Sequence, residues 1–131
     1  MKLLICTQAV DENDPALGFF VSWIKTFAAA CESVHVVCLR EGKYTLPNNV
    51  HIHSLGKERG VSRLTYLARF YFLALRYLFQ YDAVFIHMNP EYAILGWPIW
   101  KLMRKRRVLW YAHKSTPVRL RIGSRLVDAI C

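Results

Sequence analysis

Asp82-Ala83-Val84-Phe85-Ile86-His87-Met88-Asn89-Pro90 is the stretch that decides how this chain folds. Ala83 to Ile86 form an unbroken apolar run, short and without alternation, and read as a strand buried on both faces. The run ends at a histidine, and Asn89-Pro90 then opens a helix. An asparagine can cap orphan helix N–H groups, and proline fits the first helical position, where its missing N–H costs nothing. The same punctuation returns at Asp14-Pro15 and at Thr116-Pro117, each time after a short apolar run. Strand, loop and capped helix in repetition build an open parallel sheet: an α/β, doubly wound chain with helices on both faces.

Working outward, Leu3 to Thr7 reads as strand one, followed by a polar loop from Gln8 to Asn13. The first helix is expected to start near Pro15 or, after the break at Gly18, near Phe19, because Phe20, Ile24, Phe27, Ala28 and Cys31 fall at helical spacing. Val34 to Leu39 is strand two and Val50 to Leu55 strand three, with His51 and His53 on one face. Turn chemistry at Glu41-Gly42-Lys43 and Leu46-Pro47-Asn48-Asn49 separates them. Gly56 to Gly60 is a basic loop. A long helix capped at Ser62 runs to about Gln80, with Leu64, Leu67, Ala68, Tyr71, Leu75, Leu78 and Phe79 as its expected buried stripe. Its other face carries Arg63, Tyr66, Arg69, Phe70, Leu73, Arg76 and Tyr77, and is read either as a membrane or partner surface or as packing against another helix. The helix after Pro90 is apolar nearly all round, and Pro98 is expected to kink or split it. Lys101, Arg104, Lys105, Arg106 and Arg107 cluster at its C-terminal end, where the helix dipole favours cations. Val108 to Ala112 is strand five. Val127 to Cys131 resembles the entrance to a sixth strand, so the chain reads as truncated after about five strands.

The 131 residues, 54% of them hydrophobic, suit one domain with a substantial core. The net charge of +9 is uneven. Residues 1–56 hold four basic and five acidic side chains, residues 57–131 fourteen basic and four acidic. Such a field attracts anionic ligands or surfaces, or marks a solvated basic face. Cys6, Cys31, Cys38 and Cys131 form no CxxC pair and read as free thiols of a reducing compartment. The stretch Leu64 to Tyr81, interrupted by Arg69 and Arg76, is no membrane span. The apolar start runs too soon into Asp11, Glu12 and Asp14 to be a signal peptide. Strand one is not followed by Gly-x-Gly-x-x-Gly, which disfavours NAD and FAD, and no Walker loop, His-Glu-x-x-His or Gly-x-Ser-x-Gly occurs. Nucleic-acid binding has charge in its favour and no helix-turn-helix, RNP-like strand or stacking platform.

In such a sheet strand four starts the second half beside strand one, and ligands bind at that switch point. The loops Gln8–Gly18, His87–Glu91 and His113–Thr116 are expected to meet there. His87 and His113 without a carboxylate pair are weak metal ligands, and no metal is expected. They suit hydrogen bonds to a polyol or phosphate, or simply tie loops together. Asn89 and Glu91, at a helix start, can cap it, hold hydroxyls, or do both. Asp14 and its acidic neighbours belong to the same loop set or to a solvated loop.

The strand Lys2-Leu3-Leu4-Ile5-Cys6-Thr7-Gln8, the single loop glycine Gly18, the run Asp82 to Pro90 and the strand-end His113 together resemble the N-terminal half of family 4, GT-B-type glycosyltransferases. The resemblance implies that residues 1–131 are the Rossmann-like acceptor-side domain of a two-domain enzyme whose donor-binding C-terminal domain is absent from this sequence. It implies retaining transfer from a nucleotide-sugar, as co-substrate and with no other cofactor, to a saccharide or lipid-linked acceptor. Gly18 then approaches the donor phosphates, His113 is the catalytic strand-end residue contacting the transferred sugar, and Asp14, His87, Asn89, Glu91 and Lys114 line the acceptor side. The paired loop glycines common in that family are reduced here to Gly18. The domain alone is expected to bind acceptor with little transfer activity. The expected place is cytoplasmic and peripheral on the inner face of the plasma membrane, and, from the charge distribution itself, Arg63, Arg69, Arg76, Lys101, Arg104, Lys105, Arg106 and Arg107 form the expected membrane or anion patch. The competing reading is a non-catalytic basic module for membrane surfaces or partners.

Overall fold

The computed structural model describes residues 1–111 and 118–130. In chain order the elements are β1 (Lys2–Val10), α1 (Phe20–Ala30), β2 (Ser33–Glu41), β3 (Val50–Ser54), α2 (Arg63–Arg76), β4 (Ala83–His87), α3 (Glu91–Leu102), β5 (Arg106–Trp110), α4 (Val118–Arg125) and β6 (Ala129–Ile130). The strands form one sheet in the order β3-β2-β1-β4-β5-β6. Every pairing is parallel. The chain order reverses between β1 and β4, the expected switch point.

β1 lies in the middle, and its pleat serves two cores. Leu3 and Ile5 face one side with Phe20, Ile24, Val34 and Val36. Leu4 and Cys6 face the other with Phe70, Tyr81, Tyr92 and Trp100. The first core is covered by α1, the second by α2 and α3. This division follows from right-handed crossovers: those moving from β1 toward β2 lie on one face, and those moving toward β5 on the other. The link between β2 and β3 contains no helix, and Tyr44 and Leu46 fill that part of the α1-side core instead.

β1 and β2 run further than their apolar residues suggest, to Val10 and Glu41, so Gln8 belongs to the strand and not to the loop. β5 begins at Arg106, which moves Arg106 and Arg107 from the expected helix end into the sheet. The largest correction concerns α2. Ser62 caps it as expected, its hydroxyl accepting from the Thr65 N–H at 3.3 Å. The helix ends at Arg76, short of the expected Gln80, and a separate 3-10 turn follows over Leu78–Gln80. Leu78 is buried as expected, but within α2 the buried residues are Phe70 and Ala74 from outside the expected stripe, whereas Leu64, Leu67 and Leu75, and Phe79 in the turn, are exposed. Both faces of this helix are apolar, so periodicity did not distinguish them. The small Ala74 permits close approach, and Phe70 meets Tyr92 at 5.4 Å and Trp100 at 6.1 Å between ring centroids.

Pro98 does not split α3, which is continuous from Glu91 to Leu102. Beyond the C-cap Met103, Arg104 takes a left-handed φ of 55°. The Lys105 N–H then donates to the Trp100 carbonyl at 2.8 Å, and that of Arg104 to the Lys101 carbonyl at 3.2 Å. These are the two bonds of a Schellman termination. Neither expected proline cap forms as drawn. Asp14 caps its own turn, accepting from the N–H groups of Ala16 and Leu17 at 2.8 and 2.7 Å. α1 starts later, and no side chain caps it or α3. The Thr116-Pro117 pair lies outside the described residues. Cys6, Cys31 and Cys38 are free thiols.

Trp100 is fully buried, and its indole N–H donates to the Tyr81 hydroxyl at 3.1 Å, which donates to the Ala74 carbonyl at 2.9 Å. This chain joins α2, α3 and the segment before β4. Tyr81→Phe leaves the indole N–H unpaired and is expected to lower the unfolding free energy by about 1–3 kcal/mol, read from urea denaturation. An unchanged urea midpoint would remove this bond from the list of stabilising contacts.

Candidate functional site

A cavity of about 720 Å³ opens at the C-terminal ends of the central strands, on the α2–α3 side. Gln8 at the end of β1, Leu39 of β2, and Leu55 and Lys57 after β3 form one wall. Asn89, Glu91, Tyr92 and Leu95 form the second, and Ser62, Arg63, Tyr66, Leu67 and Phe70 of α2 the third. The cavity thus presents amide, carboxylate and cationic groups beside aromatic and aliphatic surface.

The second wall is set by the exit from β4. Met88 has a φ of 61°, a left-handed conformation that L residues avoid and that costs about 1 kcal/mol or more. Its N–H donates to the Trp110 carbonyl at 2.8 Å, which ties this turn to β5. The chain therefore passes from strand to helix within three residues, and Asn89 and Glu91 reach the cavity wall. Tyr92 is buried behind them, its hydroxyl donating to the Thr7 carbonyl at 3.3 Å. Burial pushes that phenol well above 10.

Of the residues singled out in the sequence, Asn89 and Glu91 line this cavity, joined by Arg63 and by Gln8 from the first expected loop. His87 does not reach it. It follows Phe85 in the two-residue pleat, and so it faces the α1 side. There it is fully buried, stacked on Phe20 at 3.8 Å and on Trp110 at 5.0 Å between ring centroids. Thr7 Oγ1 pairs with its Nδ1 at 3.0 Å, and Nε2 finds no partner. Asp14 and Gly18 also lie on the α1 side of the strand ends, away from the cavity. Asp14 and Asp11 are both paired with Arg40, Asp11 at 3.0 Å. Their own backbone hydrogen bonds lead in holding both carboxyls below the usual range, with Arg40 adding to the effect. A side chain on Gly18 would meet the Asp14 and Glu12 carbonyl oxygens at 2.7 and 2.8 Å, so only glycine lets this loop close on itself. His113 and Lys114 lie outside the described residues.

The stretch from Leu55 to Phe70, which gives part of the first wall and all of the third, was not anticipated as part of the site. The signal for it was present: a basic loop bounded by Gly56 and Gly60 at the C-terminal end of a parallel strand, running into the Ser62 cap. Arg40 was also missed, although it is the cation that fixes the acidic loop.

The expected anion patch divides. Arg69 donates to the Leu55 carbonyl at 3.2 Å, Lys105 to the Tyr81 carbonyl at 2.6 Å, and Arg107 pairs with Asp128 at 3.2 Å. These three serve the fold. Arg63 stands at the cavity, while Arg76, Lys101, Arg104 and Arg106 are exposed toward the opposite edge of the sheet. Among the described residues no group of three or more His, Cys, Asp or Glu side chains is placed to hold a metal ion.

Histidines elsewhere make a second buried feature. His35 and His53 pair at 3.1 Å between Nδ1 and Nε2, and both stack on Tyr77. Burial, reinforced by neighbouring histidines and Arg76, pulls His53 down to about 4. Burial alone brings His87 to about 4, and it also leads in lowering His35. These imidazoles stay neutral in the folded chain at a pH where the unfolded chain already binds protons. Stability is therefore present in full above the ordinary value of 6.5 and is lost as the pH falls toward 4. The midpoint of thermal unfolding should fall across that window. His87→Phe, which keeps the ring stack and removes one titrating group, should make the fall shallower; an identical pH profile would show that His87 does not contribute.

No curated protein matches the sequence. The family model described as glycosyl transferase 4-like matches residues 13–122. The match begins after β1, within the acidic loop, and covers β2 to β5 with α1 to α3, and so all three cavity walls except Gln8. With a parallel sheet whose order reverses at β1 and β4, and a cavity at that reversal, the chain belongs to the glycosyl transferase 4-like family of sugar-transferring enzymes.

Proposed function

We propose that the cavity at the strand ends holds the acceptor of a retaining glycosyl transfer, and that the donor nucleotide-sugar is bound mainly by a second Rossmann-like domain facing it. The observation that carries this reading is the lining itself. Gln8, Asn89 and Glu91 offer hydrogen-bond partners for hydroxyls, Tyr66 offers ring surface for a sugar face, and Lys57 and Arg63 offer charge to an anionic group. A saccharide or lipid-linked saccharide fits such a mixture.

In transfer the sugar centre becomes cation-like while the nucleotide diphosphate leaves with negative charge. Preorganised hydrogen-bond donors at the phosphates lower that barrier. Closure of two domains would bring the acceptor to the donor and exclude water, which suppresses hydrolysis. In this reading His113 orients the transferred sugar and Lys114 adds charge beside it; neither acts as a general base. Gly18 lies at the start of α1, where a donor phosphate would be nearest. His87, packed on the far side of the sheet, supports the floor under that loop. The nucleotide-sugar is consumed as co-substrate, and no metal takes part. The enzyme works at the cytoplasmic face of the plasma membrane, on an acceptor of cell-envelope polysaccharide type.

Saturation-transfer NMR of the chain with saccharide acceptors tests the site. Asn89→Ala and Glu91→Gln should each weaken acceptor binding by about 1 kcal/mol, roughly fivefold, with the unfolding midpoint unchanged. Equal affinity in both variants would place the acceptor elsewhere. In an enzyme joining this domain to a donor-binding half, His113→Ala should reduce transfer by about a hundredfold or more while acceptor binding persists.

A further inference from the structure

The outward face of α2 and the turn after it carry a row of apolar side chains left exposed by the described residues. Leu64, Phe72, Leu75 and Phe79 are 75, 60, 55 and 81% exposed. Leu64, Ala68, Phe72 and Leu75 recur every three or four residues and so fall on one side of the helix, which is about 21 Å long, and Phe79 follows in the 3-10 turn just beyond its end. Folded chains rarely leave so many large apolar groups in one line.

The surroundings of this ridge are cationic. Residues 59–81 contain no aspartate or glutamate. The Arg76 guanidinium lies 6.0 Å from the Phe72 ring centroid, at the ridge's flank. α2 and α3 run in the same direction on the same face of the sheet, so both end at the edge remote from the cavity. At that edge Leu102 is 82% exposed, and Lys101 and Arg104 stand exposed beside it.

We propose that this ridge is a docking surface for an anionic lipid bilayer, with the apolar side chains entering the headgroup boundary and the arginines and lysines meeting lipid phosphates. No described helix is long and apolar enough to cross a membrane, so the contact is one of side chains lying on the surface. A second copy of the chain is a poorer occupant. A two-fold contact through this face would set Arg76 and its mate in the same crowded interface without an acidic partner. A donor-binding domain is a poorer occupant as well, because it faces the strand ends, whereas the ridge runs down the flank to the opposite edge.

The ridge begins at the cavity. Leu67 and Arg63 line the cavity, and Leu64 lies between them in sequence on the outer side. Docking therefore sets the cavity mouth beside the bilayer, where a lipid-linked acceptor can enter laterally. This consequence rests on the acceptor site proposed above; the docking does not.

Co-sedimentation of the chain with vesicles separates the two. Vesicles of mixed phosphatidylglycerol and phosphatidylcholine should bind the chain, more weakly as salt rises, and pure phosphatidylcholine should bind it poorly. Phe72→Ser/Phe79→Ser, and independently Leu64→Ser/Leu75→Ser, should each lower the partition coefficient by about tenfold or more with the unfolding midpoint retained. Unchanged partitioning in both pairs, or equal binding to the neutral vesicles, overturns the proposal. So does absence of vesicle binding together with concentration-dependent self-association that the same variants abolish. Vesicle binding as described, with no acceptor binding at the cavity, keeps the docking and removes the acceptor site.

Discussion

Everything in this molecule depends on β1 pairing in parallel with β2 on one side and β4 on the other. Leu3, Leu4, Ile5 and Cys6 pair with both neighbours and are buried on both faces. A strand in that position satisfies all its backbone groups through the sheet and divides its side chains between two cores. It also forces the connections to leave in opposite directions. The crevice follows, because the chain segments leaving β1 and β4 must diverge above neighbouring strand ends.

The two sides of the sheet then acquire different chemistry. On the α1 side the strand ends are closed. Arg40 holds Asp11 and Asp14, and His87 is packed between aromatic rings. On the α2–α3 side the ends are open, because α2 begins well beyond β3 and its first turns stand away from α3. Rigid loop on one side and cavity on the other is a useful division for a transferase. The fixed side keeps geometry, and under the acceptor site proposed above the open side would take its ligand without reorganising the sheet.

Much of this was legible in the sequence. The apolar runs located every strand, and the order of strands and helices led to the doubly wound sheet and its switch point. Asn89 and Glu91 were singled out from their position after β4, and both line the cavity. Other features were misread for identifiable reasons. His87 was grouped with Asn89 by nearness in sequence, although a strand turns alternate residues to opposite faces. α2 carries large apolar residues on both faces, so its period allowed two buried stripes, and only the fit of Phe70 against Tyr92 and Trp100 of α3 selected one. Arg106 and Arg107 looked like a helix terminus because cations gather there, yet strand pairing with Ala83 and Val84 claims them.

The sequence by itself determined the class of fold, because hydrophobic period and helix-start residues act locally and each is written in a few neighbouring positions. It likewise determined the charge asymmetry and the family. The tertiary structure alone decided which side of each element is buried, and with that the walls of the cavity, the burial of His87 and the exposure of the α2 ridge. Those properties arise from contacts between residues as far apart as Gln8, Arg63 and Asn89. No local pattern encodes such a meeting; it exists only once close packing has chosen among faces that are equally apolar.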